Sequence, residues 1–574
     1  MVVAPLSYTL VLCKTICHHT MAIAYGGPPH LTFMSAAIGA GSWRHGCRVS
    51  KAVRRRSIGG DCPEVATATT CMRQYEYPML QGLTYLDHGG TTLAPRSLLQ
   101  MFCSEMQNTL LANPHSDASN PSTTALMVEE TRLDVLHMFN ADPEHFDIVF
   151  TANATASIKL VADGFSGWTE GFDYFYHRNS HTSLVGVREL AHHSNCFASN
   201  DEVERWLGNE DKDLAEESSQ RPVLFAYPAQ SNLNGERLPL DWPGKLRLSS
   251  SHPNAYSLLD AAALVSTTAL DMSNHLSAPD FVALSFYKIF GFPDLGALII
   301  RKAVGHVFDK RKYFGGGTTE MTTCIGDAWV VRKESSLHAR LEDGTIAFRS
   351  ILVLNCAIKT HRDLFGGLEE VSKHTGWLAK VLDDRLRSLR HTNGMPVYHL
   401  YSSLDSSYGD SKTQGATVAF NVCQSDGTYI GPWHVGALLR ANHIHVRTGT
   451  VCNPAGISCA LGLDAKWLRK AFDEGYRCNT ETDVLAGVPV GVVRVTLGAM
   501  STLEDIETLI SCLYRNFVDN KDGLNNSARS SDEKKDSLME SKQPNAVAET
   551  EGTFSTTPWR GWKRRWMSFP SFSR

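Results

Sequence analysis

From about residue 80 to 515 the apolar positions fall into short runs separated by longer amphipathic stretches. Residues 147–151, 223–227, 256–260, 281–285 and 296–300 are nearly continuous in Val, Ile, Leu, Phe and Ala, the pattern of strands buried on both faces. Stretches of helical length lie between several of them. In 121–139, Val128, Leu133, Leu136 and Phe139 recur at helix-like spacings. Strands alternating with helices predict an α/β fold with a mostly parallel central sheet covered on both faces. A long helical pattern then runs from 346 to about 389, followed by strand-like 417–423, 442–447 and 492–497, which predicts a smaller α+β C-terminal domain. The expected organisation is a basic, acid-free extension over 1–75, a large domain over 76–365, the small domain over 366–518 and a polar tail over 519–574.

Composition narrows the class. The chain has 574 residues, 43 % hydrophobic and 20 % charged, with a formal net charge of −5. That is an ordinary globular balance with no global attraction to nucleic acid. Fourteen Cys are too sparse for a disulfide scaffold, and no C-x2-C pair supports a structural zinc site. No apolar run reaches the ~18 residues of a membrane span. A reducing, cytoplasmic setting is the expectation. Residues 1–60 hold no Asp or Glu but carry Lys14, Arg44, Arg48, Lys51, Arg54, Arg55 and Arg56, which reads either as mitochondrial targeting or as a dispensable extension. Beyond 519 the polar composition cannot bury enough surface to order itself. Its end sets Trp559, Trp562 and Trp566 among Arg560, Lys563, Arg564 and Arg565, either a surface-docking segment or an unanchored tail.

Four features point to chemistry. Lys288 follows directly on the buried strand 281–285, where an amine is poised for a lowered pKa and covalent bonding to a carbonyl. Asp260 closes another buried strand, a costly place for a carboxylate unless a cation meets it. The stretch 150–157 runs from a strand into small and hydroxyl residues that open a helix. Free N–H groups from Ala154 on, with the Thr155 hydroxyl, would suit a phosphate, and a plain helix cap is the alternative. The run Gly315, Gly316, Gly317, Thr318 either lets backbone approach a phosphate or forms a flexible loop. One cofactor, pyridoxal 5'-phosphate, fits all four: a lysine to carry it and an acid at its ring nitrogen.

Read together, YLDHGGTTLAP (85–95), NPHSDAS (113–119), SFYKIFGFPDLGALIIRK (285–302), YFGGGTT (313–319), LEDGT (341–345), RTGTVCNP (447–454) and VRVTLGAMSTLED (493–505) resemble the class V aminotransferase family. Within it they resemble the cysteine desulfurases, and among those most closely the molybdenum cofactor sulfurases. The resemblance implies fold type I of the PLP-dependent transferases and a homodimer. It implies that Lys288 carries the cofactor and moves the substrate α-proton, that Asp260 keeps the pyridine nitrogen protonated, and that His181 stacks on the ring, a satisfied core histidine being the alternative. Asn232 would approach the cofactor's phenolic oxygen or the substrate. Thr155 and Ser285 would bind phosphate, and Thr318 would reach the neighbouring subunit's cofactor. Tyr287 stands where bacterial desulfurases usually have His. Arg494 would clamp the substrate carboxylate, with Arg447 a second candidate, and as a buried strand Arg it demands an anion under any reading. Cys452, in a loop mobile enough to swing, would attack the substrate sulfur as thiolate and hold it as a persulfide. An inert small apolar residue is the alternative. Cys459 is either a relay or uninvolved.

The function so implied is conversion of L-cysteine to L-alanine with sulfur passed to the molybdenum cofactor, carried by an enzyme such as xanthine dehydrogenase or aldehyde oxidase. Some 55 residues follow the catalytic unit, too few for the MOSC domain of full-length eukaryotic sulfurases, so none is expected. Another class V enzyme (a selenocysteine lyase, a general cysteine desulfurase or a transaminase) and a non-catalytic scaffold of the same fold are the alternatives. Only the desulfurase readings need Cys452; another lyase or a transaminase needs Lys288 but no thiol.

Overall fold

A computed structural model of the chain describes residues 71–116, 122–208, 221–477, 481 and 483–519. The extension expected over 1–75 lies outside the described residues except for 71–75, which are helical. The tail from 520, with its three Trp, lies outside them as well.

The apolar runs become strands because alternate side chains have two separate places to bury. Among the described residues, β1 (Phe146–Thr151), β2 (Asp173–His177), β3 (His193–Phe197), β4 (Val223–Pro228), β5 (Ala255–Asp260), β6 (Phe281–Ser285) and β7 (Gly296–Arg301) form one sheet in the order β1-β7-β6-β5-β4-β2-β3. Only β7 runs against its neighbours, so the sheet is mostly parallel as expected. Along β4, Val223, Phe225 and Tyr227 enter one apolar cluster while Leu224 and Ala226 enter another. In β6, Val282 and Leu284 divide from Phe281 and Ala283 in the same way.

Helices α1 (Thr123–Met138) and α2 (Ala154–Phe165), the single turns α3 (Thr182–Val185) and α4 (Tyr287–Phe290), the pair α5 (Phe348–Phe365) and α6 (Leu368–Ser388), and α7 (Pro454–Leu461) and α8 (Leu503–Phe517) connect or cover the strands. Val128, Val135 and Leu136 of α1 and Ile351, Val353 and Leu354 of α5 pack on one face of the sheet. Ile158, Val161 and Phe165 of α2 pack on the other. The helical pattern from 346 to 389 is two helices rather than one. Gly366 and Gly367 take φ of 80° and 122°, which side chains rarely adopt, and the Gly366 N–H closes α5 on Arg362 O.

A second sheet has β8 (Tyr398–Leu400), β9 (Thr417–Cys423), β12 (Val492–Thr496) and β11 (Arg447–Gly449) in that order, with β10 (Tyr429–Ile430) on β9. Val418, Phe420, Val422, Val493 and Val495 bury against Leu378, Leu382 and Leu386 of α6 and Ile506, Leu509 and Leu513 of α8. The strand-like stretch 442–447 divides between two pairings. Ile444–His445 lies parallel to Thr84–Tyr85, and Arg447 begins β11. No helix among the described residues is long and apolar enough to cross a membrane.

The first sheet gathers chemistry at one edge. Strands β1, β4, β5 and β6 end together on Thr151, Pro228, Asp260 and Ser285, and ligands of open α/β sheets bind outside such carboxyl ends. Gly291 fixes the turn that carries Lys288 away from β6. It has φ 78°, and an added Cβ would stand 2.2 Å from the Leu93 carbonyl carbon and 2.3 Å from Ala94 N. Gly291→Ala should therefore lower stability by about 2–4 kcal/mol. Gly186→Ala, with φ −64° and open space around it, should stay within about 0.5 kcal/mol of the parent. Urea unfolding midpoints check both.

Candidate active site

The start of α2 is built to leave hydroxyls facing outward. Asn153 caps the helix by accepting the Ala156 N–H at 3.0 Å, and the Ala154 N–H donates to Ser285 Oγ at 2.9 Å, tying the helix to the end of β6. Gly296 lets β7 approach this turn, since an added Cβ would lie 2.5 Å from Asn153 Cα. Thr155 is exposed in the first turn, its hydroxyl 2.7 Å from Ser183 Oγ. Two adjacent hydroxyls at the positive end of a three-turn helix suit a phosphate.

Lys288, half-buried in α4, faces the same cavity. Ala154, Thr155, His181, Asn232, Asp260, Ser285 and Lys288 all line it, and it holds about 540 Å³ of free space, part of it open to solvent. Burial pushes the Lys288 amine below the ordinary lysine range, Asp260 opposes that shift, and the charges of Arg494 and Arg447 add to it. Asp260, buried at the end of β5, accepts the Ala262 N–H at 3.0 Å. His181 caps α3, its Nδ1 accepting the Ser183 N–H at 3.1 Å and lying 2.9 Å from Ser183 Oγ. Burial lowers its pKa against the pull of Asp260, and the three cations nearby lower it further, so the neutral ring is favoured.

A second group adjoins this cavity. Arg494, 2 % exposed in β12, donates from Nη2 to Asp87 Oδ1 at 2.8 Å and from Nη1 to Asn232 O at 3.0 Å, while its Nε has no partner. Burial pushes its pKa down and the Asp87 carboxylate pulls it back. Gly89 keeps Asp87 beside β12: its N–H donates to Thr496 Oγ1 at 2.7 Å, and a Cβ there would be 2.9 Å from Thr496 Cγ2. Arg447 pairs directly with Arg494 across β11 and β12, which sets two guanidinium side chains on one sheet face. The combination asks for a further anion.

The Cys452 loop closes the group. Val451 and Cys452 both have left-handed backbone, φ 46° and 57°, a conformation costing of order 1–3 kcal/mol per residue and most unfavourable for a β-branched side chain. It is held from both sides. Thr182 N–H donates to Cys452 O at 2.9 Å, and Asn232 Nδ2 donates to Val451 O at 2.7 Å. The loop expected to be mobile enough to swing is bonded at both residues of this turn. Cys452 lies within electrostatic range of Arg494.

Comparison with known proteins agrees with this geometry. Residues 84–509 match the family described as aminotransferase class-V. The chain belongs to that family. Molybdenum cofactor sulfurases of Aspergillus niger and Chaetomium globosum are 49 % and 48 % identical to it over 450 and 448 residues, 78 % of this chain in each case. Those alignments take in 54 % and 57 % of the relatives, so the chain spans about half the length of the curated relatives it matches. Among solved structures, the apo cysteine desulfurase of Thermococcus onnurineus superposes with a TM-score of 0.58 at 23 % identity, covering 80 % of this chain and 98 % of that one. A cysteine desulfurase of Escherichia coli gives 0.57 at 17 %, covering 78 % and 98 %. The shared fold is that of fold type I of the PLP-dependent transferases.

For this family member, the donor set fits pyridoxal phosphate. Lys288 stands opposite a buried carboxylate, and among the described residues no hydrogen bond or ion pair holds its amine. Thr155, Ser183 and Ser285 would hold the phosphate, Lys288 the aldehyde carbon and Asp260 the ring nitrogen. The remaining expected residues have partners within this chain. Asn232 spends its side chain on the Cys452 loop, with Oδ1 accepting from Asn453 Nδ2 at 3.0 Å. Thr318 is buried and donates its hydroxyl to Gly315 O at 2.8 Å, outside the cavity lining. The glycine run is likewise occupied: Asp343 of LEDGT accepts the Gly315 N–H at 2.7 Å, and the Gly344 N–H donates to Gly316 O at 2.7 Å.

Sequence reasoning missed Asp87, Ser183 and Asn453. Asp87 lies in the opening motif without an assigned task, and the Asn-Pro pair after Cys452 is a helix-start signal that marks Asn453 as a cap. Two outcomes test the electrostatics. Asp87→Asn leaves a buried guanidinium without a carboxylate, so stability should fall by about 3 kcal/mol in chemical denaturation. Asp260→Asn removes the charge that supports the Lys288 ammonium, so the pH midpoint for acylation of Lys288 in cofactor-free protein, read by peptide mass spectrometry, should move down. An upward move contradicts the placement of Asp260 against the amine.

Proposed function

We propose that the chain is the catalytic unit of a pyridoxal-phosphate-dependent cysteine desulfurase that converts L-cysteine to L-alanine and passes the sulfur, through Cys452, to the molybdenum cofactor. One observation carries this reading: the Cys452 loop is bonded to Asn232, which lines the Lys288 cavity, and to Thr182, which lies between the lining residues His181 and Ser183. A lyase or transaminase has no use for a thiol held there. The name of the relatives at 49 % identity supports the molybdenum cofactor as acceptor.

Pyridoxal phosphate, when bound, supplies an electron sink for the substrate's α-carbon. The chain's own residues do the rest. Lys288, whose amine burial pushes below the ordinary lysine range, takes and returns the proton at the substrate Cα. Asp260 holds the proton on the ring nitrogen. Arg494 and Arg447 receive the substrate carboxylate, a planar anion suited to paired guanidinium contacts. Cys452, as thiolate, forms a bond from its Sγ to the substrate sulfur while the substrate Cβ–S bond breaks. The electron pair stays on the carbon, which takes a proton to become the methyl group of alanine. We extend the proposal to a homodimer, supported by the exposed Met321, Ile325 and Trp329 around the hairpin of Thr319–Thr323 and Trp329–Arg332.

The test is alanine release from L-cysteine by the full chain without added reductant. Parent protein should form at least one alanine per site and carry sulfane sulfur on Cys452, and added molybdenum cofactor should remove that sulfur. Cys452→Ala should lose at least about 100-fold in alanine formation. Equal alanine from both proteins assigns the chain to the lyases or transaminases instead.

A further inference from the structure

Behind the thiol loop lies a buried polar network that the reaction itself does not use. Asn453, fully buried, donates from Nδ2 to Asn179 O at 3.1 Å and to Asn232 Oδ1 at 3.0 Å. Its Oδ1 accepts the Gly456 N–H at 3.0 Å and so caps α7. Asn179 is itself oriented, its Nδ2 donating to the buried carboxylate of Glu236 at 3.1 Å. Val451, 4 % exposed, packs with Leu233, Tyr401, Ala419, Ile457 and Val492, so the loop is anchored on its apolar side too.

We propose that Asn453 is a positioning residue that holds the Cys452 thiol docked at the Lys288 cavity by clamping the strained Val451–Cys452 pair to Asn179 and Asn232. The physical case rests on three facts. Two consecutive left-handed residues, one of them β-branched, persist only where the surroundings over-determine them. A side-chain amide that is fully buried and uses both donor and acceptor atoms is a committed contact, since leaving either atom unpaired is costly. The three bonds of Asn453 run to two different segments of the first sheet's loops and to the helix that follows the thiol, and Asn232, which accepts one of them, itself holds Val451 O at the other end of the turn. The Cys452 loop is therefore delivered preformed. Its thiol reaches substrate from a set position rather than by a search, and the Val451–Cys452 turn relaxes away from the cavity once the clamp is cut.

The inference rests on the desulfurase reading for its kinetic consequence but not for its structural one, and two readouts separate them. Asn453→Asp keeps the cap acceptor for Gly456 and replaces the donor with an oxygen facing Asn179 O and Asn232 Oδ1. Asn453→Ser keeps a capping hydroxyl and removes the donor outright. In the full chain, with or without pyridoxal phosphate, alkylation of Cys452 by iodoacetamide, followed by peptide mass spectrometry, should speed up about tenfold in both variants as the turn is released. In the loaded protein, kcat for alanine formation should fall by about tenfold or more while KM for L-cysteine stays within about twofold, because placement is lost and carboxylate binding is not. Unchanged alkylation in both variants overturns the clamp. Faster alkylation with parent-like kcat shows that loop placement does not limit sulfur transfer and overturns the positioning role. Loss of kcat only in proportion to a loss of folded protein, measured by thermal unfolding, reduces Asn453 to a structural cap and overturns it as well. If the parent releases no alanine, the desulfurase reading fails while the alkylation rates still decide the clamp.

Discussion

One buried guanidinium organises this molecule. Arg494 sits in the middle of the smaller sheet, 2 % exposed, and charge at that depth is costly without a paired anion. Its partners come from the two ends of the fold: Asp87 from the opening motif and the Asn232 carbonyl from the loop after β4. The Asp87 segment is further fixed by its bridge to Thr496 and by the Gly89 contact, so the opening motif is laid against the last strand of the described residues. Asn232 in turn holds Val451 O and Asn453. Through this one cation the entry segment, the second sheet, the first sheet's ligand edge and the thiol loop are joined.

That joining makes the site cationic by design of the fold. Arg494 and Arg447 are cross-strand neighbours, and both depress the pKa of Lys288 and of His181. Asp260 is the carboxylate that opposes this within the cavity, while Asp87 is engaged at Arg494. An amino-acid carboxylate and a phosphate are both anions suited to such a place, and the hydroxyls of Thr155 and Ser183 mark where the second would lie. The same field lowers the proton affinity of both Lys288 and His181.

The strands and the residues proposed to hold the cofactor were legible because their signals are local. Ile148 through Phe150, or Phe281 through Leu284, read as strand from their own apolar run, and Lys288 and Asp260 read as unusual because each directly follows or closes such a run. The break at Gly366 and Gly367 was written in two adjacent glycines and yields to backbone sterics, yet the apolar period on both sides hid it. The opposite held for Asp87 and Asn453. Each is an ordinary polar residue in a loop, and its meaning comes from a partner more than 200 residues away.

The sequence by itself determined the alternation of strands and helices, the placement of a lysine and an acid at strand ends, and a cysteine between a glycine turn and an Asn-Pro helix start, because propensity and burial patterns act over a few residues. Tertiary structure alone decided which anion meets Arg494, that Asn232 serves the thiol loop, that Thr318 is bonded to Gly315 and the glycine run to Asp343 and Gly344 outside the cavity, and that Cys452 is tethered. These are pairings of buried polar groups, each fixed by which partner lies within about 3 Å once the layers have packed, and no local pattern encodes that distance.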